Sequence, residues 1–180
     1  MLNYIHSIIK DSGSEFQARD KDYAKDSNLY LKRKGSSYVI TVRYELNEQR
    51  VQLSFLYTKW IIPFSKVEDL ETLIPHFLKE AVDSINRYTM SDELRRELLR
   101  ADFNLESKVT EDEHYFIKVE DHDRFFYIDF LPGKIMVYGN SVKRENIPYS
   151  QYKPSYILDK VESWYEEVRL RINSCVDNLP

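Results

Sequence analysis

Glycine is scarce in this chain, with only four among 180 residues. Phosphate-cradling loops need glycine for left-handed turns and close backbone approach, so this poverty weighs against a nucleotide-binding loop. Cysteine is scarcer still. Cys175 stands alone, which excludes an intramolecular disulfide framework and any CxxC pair. No apolar run approaches the roughly 20 residues a helix needs to cross a bilayer. The opening stretch MLNYIHSIIKDSG has no basic region and no small-residue cleavage site, so it does not read as a leader. GxSxG and HExxH are also absent. A net charge of −4 gives no general attraction to nucleic-acid backbones or anionic lipid. These absences lead to the expectation of a cytoplasmic protein with no membrane partner, no cofactor and no metal.

What the chain has in quantity is aromatic. Fourteen Tyr, nine Phe and two Trp sit within an apolar share of 42%, enough to build a real core at this length. Two stretches, Tyr38 to Phe64 and Tyr115 to Tyr138, alternate apolar and polar residues with the period of two expected of half-buried strands. In the first, Tyr38, Ile40, Val42 and Tyr44 share a face, as do Val51, Leu53, Phe55 and Tyr57. In the second, Tyr115, Ile117 and Val119 are followed by Phe126, Ile128 and Phe130.

Helical spacing marks four regions. Leu2, Ile5, Ile8 and Ile9 predict a short N-terminal helix that stops at Gly13. Val67, Leu70, Ile74, Phe77, Leu78, Ala81 and Ile85 predict a long one, with Ser65 and Glu68 spaced as a capping box. Pro75 should kink or split it, and a separate short helix is expected over Asp92 to Ala101. Ile157, Val161, Trp164, Val168 and Ile172 define a last helix, with Pro154 suited to its first turn. Residues 11–28 read as a flexible polar segment in which Phe16 and Tyr23 could anchor a partner, and Gly139 to Lys153 as a polar connection.

The predicted class is α+β, an antiparallel sheet with helices on one face in the order α-βββ-α-α-βββ-α. The chain is treated as a single domain, 1–180. Tyr38–Val42 matches Tyr115–Val119, and Gln52–Leu56 matches Tyr127–Leu131, which admits a pseudo-repeat of a βββα unit over 29–88 and 103–176. This order of elements resembles that of type III secretion chaperones and related small acidic adaptor proteins. The resemblance lies in layout across most of the chain, with no motif residues behind it, and it implies partner binding.

No catalytic constellation emerges from the sequence. His76 with Glu80 one turn on, and His114, are the candidates a divergent hydrolase would use. His–carboxylate pairs at that spacing are more often surface pairs, and no catalytic residue is assigned. The acidic turns at 110–113 and 121–123 flank one strand and so stand about 20 Å apart, too far to share an ion. Two basic clusters, Lys32-Arg33-Lys34 and Arg95, Arg96, Arg100, are the alternative nucleic-acid contacts. The favoured reading is a non-enzymatic protein-binding module, an inhibitor or chaperone-like adaptor acting on host or phage-defence machinery. Tyr149, Tyr152 and Tyr156, expected on an exposed segment, would supply aromatic contact area. Asp112, Glu113, Asp121 and Asp123 would offer carboxylates to a basic partner, and a homodimer is compatible with the same surfaces.

Overall fold

The computed structural model describes residues 1–13, 15–18, 28–34, 37–56, 58–109, 115–121, 123–140 and 142–176. The chain is α+β, and its described residues form three α-helices and two antiparallel five-stranded sheets. It divides into two compact units, Met1–Ile85 and Asn86–Pro180.

The first unit opens with α1 (Leu2–Asp11), whose Ile5, Ile8 and Ile9 are buried. Five strands follow as a meander: β1 (Phe16–Ala18), β2 (Asn28–Arg33), β3 (Val39–Glu45), β4 (Arg50–Phe55) and β5 (Thr58–Pro63). Alternation works as expected here. Leu29 and Leu31, Ile40 and Val42, Val51 and Leu53, and Trp60 and Ile62 are all buried, while their neighbours turn outward. The strand β1 occupies part of the segment expected to be flexible. Phe16 is buried rather than held out for a partner, because β1 pairs with β2 in the register Phe16↔Arg33. Tyr23 lies outside the described residues, and so does Tyr57.

The helix α2 (Leu70–Arg100) is continuous, and Pro75 sits inside it. Proline removes one donor, from the Glu71 carbonyl, but a 31-residue helix with a buried stripe at Leu70, Ile74, Leu78, Ala81 and Ile85 absorbs that loss. No glycine or proline interrupts residues 86–92, so the separate helix expected from Asp92 is this helix running on. Its start is capped one residue later than the spacing implied. The Lys66 amide donates to the Asp69 carboxylate at 3.0 Å, and the Asp69 amide donates back to the Lys66 carbonyl at 3.1 Å. That register places Val67 in a short 3-10 turn before α2, at the surface rather than on the stripe.

The helix ends in a Schellman motif. The Phe103 amide donates to the Leu98 carbonyl and the Asp102 amide to the Leu99 carbonyl, both at 3.1 Å. Asp102 takes the left-handed position at φ +62° that this motif requires. Phe103 then packs on the same core as Leu98.

In the second unit the sheet runs β6 (Leu105–Val109), β7 (Tyr115–Asp121), β8 (Arg124–Leu131), β9 (Lys134–Gly139) and β10 (Val142–Pro148), again a meander. The last strand falls in what the sequence presents as a polar connection. Of its seven residues only Ile147 is buried, so alternation leaves almost no trace. The closing helix α3 (Pro154–Val176) begins on Pro154, as its missing amide favours. Ile157, Val161, Trp164 and Val168 bury a stripe against Tyr115, Ile117, Val119, Phe126, Ile128, Phe130, Ile135 and Val137, and Leu94 and Leu98 of α2 join this core. The side chains of Ile172 and Cys175 fall outside the described residues.

Both units therefore carry a five-stranded meander followed by a helix. The sequence match sets β3 beside β7 and β4 beside β8, one strand out of step with position in the two meanders.

Two substitutions test this account. Asp102→Gly removes the cost of a left-handed side-chain-bearing residue and should stabilise the chain by about 0.5–1 kcal/mol. Gly139→Ala should destabilise it by about 1–3 kcal/mol, since a Cβ there would stand 2.4 Å from the Phe125 carbonyl oxygen. Urea denaturation midpoints report both, and an unchanged midpoint for Gly139→Ala would contradict the tight β8–β9 approach.

Candidate functional site

Burying one face of a strand pair dictates what stands on the other. With Tyr115, Ile117 and Val119 turned to α3, the residues Phe116, Lys118 and Glu120 must face away from it. The register then sets Phe116 opposite Asp129, Lys118 opposite Tyr127, and Glu120 opposite Phe125. Asp129 in turn faces Met136, and Tyr127 faces Tyr138. Four aromatic rings thus meet on the sheet face that α3 leaves uncovered. Tyr127 is their hub: its ring centroid lies 5.1 Å from Tyr138 in a stacked pair, 5.0 Å from Phe125 and 6.5 Å from Phe116. All four are half-buried.

Charged groups interleave with the rings. Lys118 pairs with Glu120, and its ammonium lies 5.6 Å from the Phe125 centroid. The hydrogen bond from Lys118 to Glu120 raises the lysine pKa. Arg144 of β10 donates to the Met136 sulfur at 2.8 Å. Asp129 is buried at 3% exposure on this same face. Burial first, then the Asp129 charge and hydrogen bond, pushes the Tyr138 phenol up to about 12. Tyr138 is therefore a neutral hydrogen-bond donor at physiological pH. The face is amphipathic, aromatic at its centre with charges of both signs around it. The sequence holds the signal for it, since Phe116, Phe125, Tyr127 and Tyr138 all occupy the polar phase of their strands. Read one strand at a time, that signal is lost among 25 aromatic residues.

The expected site residues are placed as follows. Tyr149 and Tyr152 turn inward rather than lying exposed. Tyr149 donates to the Leu131 carbonyl, Tyr152 donates to the Met90 carbonyl at 3.1 Å, and both pack on the core of the second unit. Burial raises the Tyr152 pKa. Their spacing around Pro148 and Pro154 lets a short turn fold the rings back under α3. Tyr156 alone remains exposed, where it donates to Glu145 at 2.9 Å.

The acidic set disperses too. Asp121 shares the phase of Val119 and is buried, whereas Asp123 is exposed in the following turn, so the two carboxylates do not form a common surface. Asp112 and Glu113 lie outside the described residues, as do His114 and His122. The described residues contain no cluster of three or more His, Cys, Asp or Glu able to hold a metal.

Among the basic residues, Arg33 pairs with Glu15 at 2.7 Å, Arg96 with Asp92 at 2.6 Å and Arg100 with Glu97 at 2.5 Å. Each guanidinium is thus matched by a local carboxylate. Lys32 and Lys34 are exposed and Arg95 is half-buried. His76 and Glu80 stand 3.4 Å apart as an exposed i,i+4 pair, and the His76 ring lies edge-on to Phe77. Sequence reasoning missed Arg87, a buried arginine whose guanidinium lies 5.6 Å from the Tyr115 ring centroid.

No helix among the described residues is long and apolar enough to cross a membrane. The chain matches no protein-family model, no curated protein and no solved structure.

The tie between β10 and α3 supplies a pH test. Lys160 reaches Glu145 at 2.6 Å, and this hydrogen bond, helped by that from Tyr156, holds the Glu145 carboxyl below the usual range. A lowered folded pKa means stability that is fully present above the unfolded carboxylate range and is lost as pH falls through the folded value. Both side chains are about a third exposed, so Glu145→Gln should cost on the order of 0.5 kcal/mol at neutral pH. In urea denaturation the gap to wild type should close on acidification, and a gap independent of pH would refute the assignment.

Proposed function

We propose that this chain is a cytoplasmic, non-enzymatic protein-binding module, an inhibitor or chaperone-like adaptor, and that it engages its partner through the aromatic face of the second sheet opposite α3. One observation carries the reading. Phe116, Phe125, Tyr127 and Tyr138 form a contiguous ring cluster on the face opposite α3, rimmed by Lys118, Glu120 and Arg144. Rigid aromatic rings lose little side-chain entropy on contact, and an apolar centre within a mixed-charge rim is the ordinary anatomy of a protein interface.

Carboxylates interleaved with the rings disfavour a nucleic-acid backbone at this face. Pairing of Arg33, Arg96 and Arg100 with their own carboxylates removes much of the field the basic clusters would need. The partner is accordingly a protein surface with an apolar or aromatic anchor and charges of both signs around it. Tyr138, held neutral and committed to Asp129, would offer its ring to that surface.

The test compares tagged variants in nuclease-treated pull-downs from the native host. A partner that survives nuclease should be retained by wild type and by the triple reversal Arg95, Arg96, Arg100→Glu. The double variant Phe125→Ser/Tyr127→Ser should lose it, with affinity falling by about 2 kcal/mol or roughly thirtyfold. Circular dichroism and the urea midpoint check that the double variant stays folded. Retention by the folded double variant would refute the face, and loss of all binding on nuclease treatment would refute a protein partner.

A further inference from the structure

The strand β5 ends the sheet of the first unit: it pairs with β4, and no other described strand lies beside it. Its side chains alternate cleanly. Thr58, Trp60 and Ile62 are buried, whereas Lys59, Ile61 and Pro63 are exposed. Ile61 is 50% exposed, a large apolar side chain in the middle of an edge strand. Two more exposed apolar residues bracket it in the chain, Leu56 in the β4–β5 turn and Val67 in the 3-10 turn after β5. Leu56 is held at φ +52°, a left-handed position that disfavours leucine and suits asparagine or glycine.

Pairing with β4 sets which backbone groups this edge presents. The Phe64 amide donates to the Gln49 carbonyl at 3.0 Å, and antiparallel bonding alternates from there. Ile62, Trp60 and Thr58 therefore exchange hydrogen bonds with β4, while the amides and carbonyls of Lys59 and Ile61 point away from the sheet. Pro63 has no amide, so its outward group is a carbonyl alone. Lysine and proline on an edge guard against indiscriminate strand pairing.

We infer that β5 pairs antiparallel with β5 of a second copy of this chain, with Ile61 on the two-fold axis. Each Ile61 amide then donates to the Ile61 carbonyl of the other copy, and each Lys59 amide to the other copy's Pro63 carbonyl. Every outward amide gains an acceptor, and proline falls where its missing donor leaves no amide unpaired. A register centred on Lys59 would oppose two ammonium groups, and one centred on Trp60 would set each Ile61 against a lysine. Centring on Ile61 instead buries isoleucine on isoleucine. It also brings Leu56 level with Val67 of the other copy, since the two stand five and six residues from the axis. The contact is isologous and closed, so association stops at the dimer. A seam of one strand lies at the low end of interface size, and dissociation in the micromolar range is expected. This seam belongs to the first unit and is independent of the aromatic face of the second sheet.

Sedimentation velocity on the full chain, over about 1–500 µM, tests the pairing. A monomer–dimer equilibrium is expected. Ile61→Lys should weaken it by about tenfold or more, because it opposes two ammonium groups and removes the apolar contact. Lys59→Gln, opposite proline, should associate as wild type does. Both positions are exposed, so circular dichroism and the urea midpoint should show both variants folded. Amide hydrogen exchange locates the seam. The Lys59 and Ile61 amides should gain protection as concentration rises, while those of Trp60 and Ile62, bonded to β4 in monomer and dimer alike, should not change. A chain monomeric throughout, a dimer undiminished by Ile61→Lys, or a dimer that leaves the Lys59 and Ile61 amides unprotected would overturn the proposal. So would protection that appears only with the nuclease-resistant partner, which would make this edge a seat for that partner's strand.

Discussion

The second unit depends on one contact, the apolar stripe of α3 laid against one face of its sheet. Tyr115, Ile117, Val119, Phe126, Ile128 and Phe130 meet Ile157, Val161, Trp164 and Val168 there. A buried side chain of this size contributes about 1.5–3 kcal/mol, so the set outweighs any single polar contact in the unit. Because strand side chains alternate strictly, this burial leaves no freedom in what the other face displays. The aromatic cluster around Tyr127 is a consequence of the register that buries Tyr115, Phe126 and Ile128. Slipping β7 or β8 by one residue would exchange the two faces, setting Lys118 and Asp129 against α3.

Polar groups secure this arrangement rather than drive it. The Trp164 indole donates to the Asn140 carbonyl at 3.2 Å, and the Asn140 side chain accepts from the Phe125 amide at 2.9 Å. One residue at the end of β9 thereby ties α3 to the strand bearing Phe125. Tyr149 and Tyr152 act similarly from the turn before α3, donating to the Leu131 and Met90 carbonyls and so fastening that turn to β8 and α2. Tyrosine is well suited to such a place, with a ring for the core and a hydroxyl for the backbone. The exposed ion pairs on α2, Arg96 with Asp92 and Arg100 with Glu97, add little stability. Their larger effect is on charge, since they leave that helix without a basic stripe.

The face around Tyr127 is broad and amphipathic, suited to a macromolecular partner whose apolar anchor displaces water from the rings. It lies within one compact unit and follows from strand pairing inside that unit.

Local periodicity was enough to read the class and most elements from the sequence, because period two and period 3.6 arise within a single segment. Val39–Glu45, Arg50–Phe55, the stripe of α2 and the proline start of α3 were legible for that reason. β1 and β10 were not, since each buries one or few side chains and exists through pairing with a neighbour. Orientation was likewise undecided. Whether Tyr149 points inward, whether Asp121 and Asp123 share a surface, and whether four dispersed aromatics meet at Tyr127 are questions of register between strands. The sequence by itself determined which faces must be buried, through the hydrophobic cost of exposing them. Only the tertiary structure decided which residues stand together on the faces left over, because that depends on pairing between segments far apart in the chain.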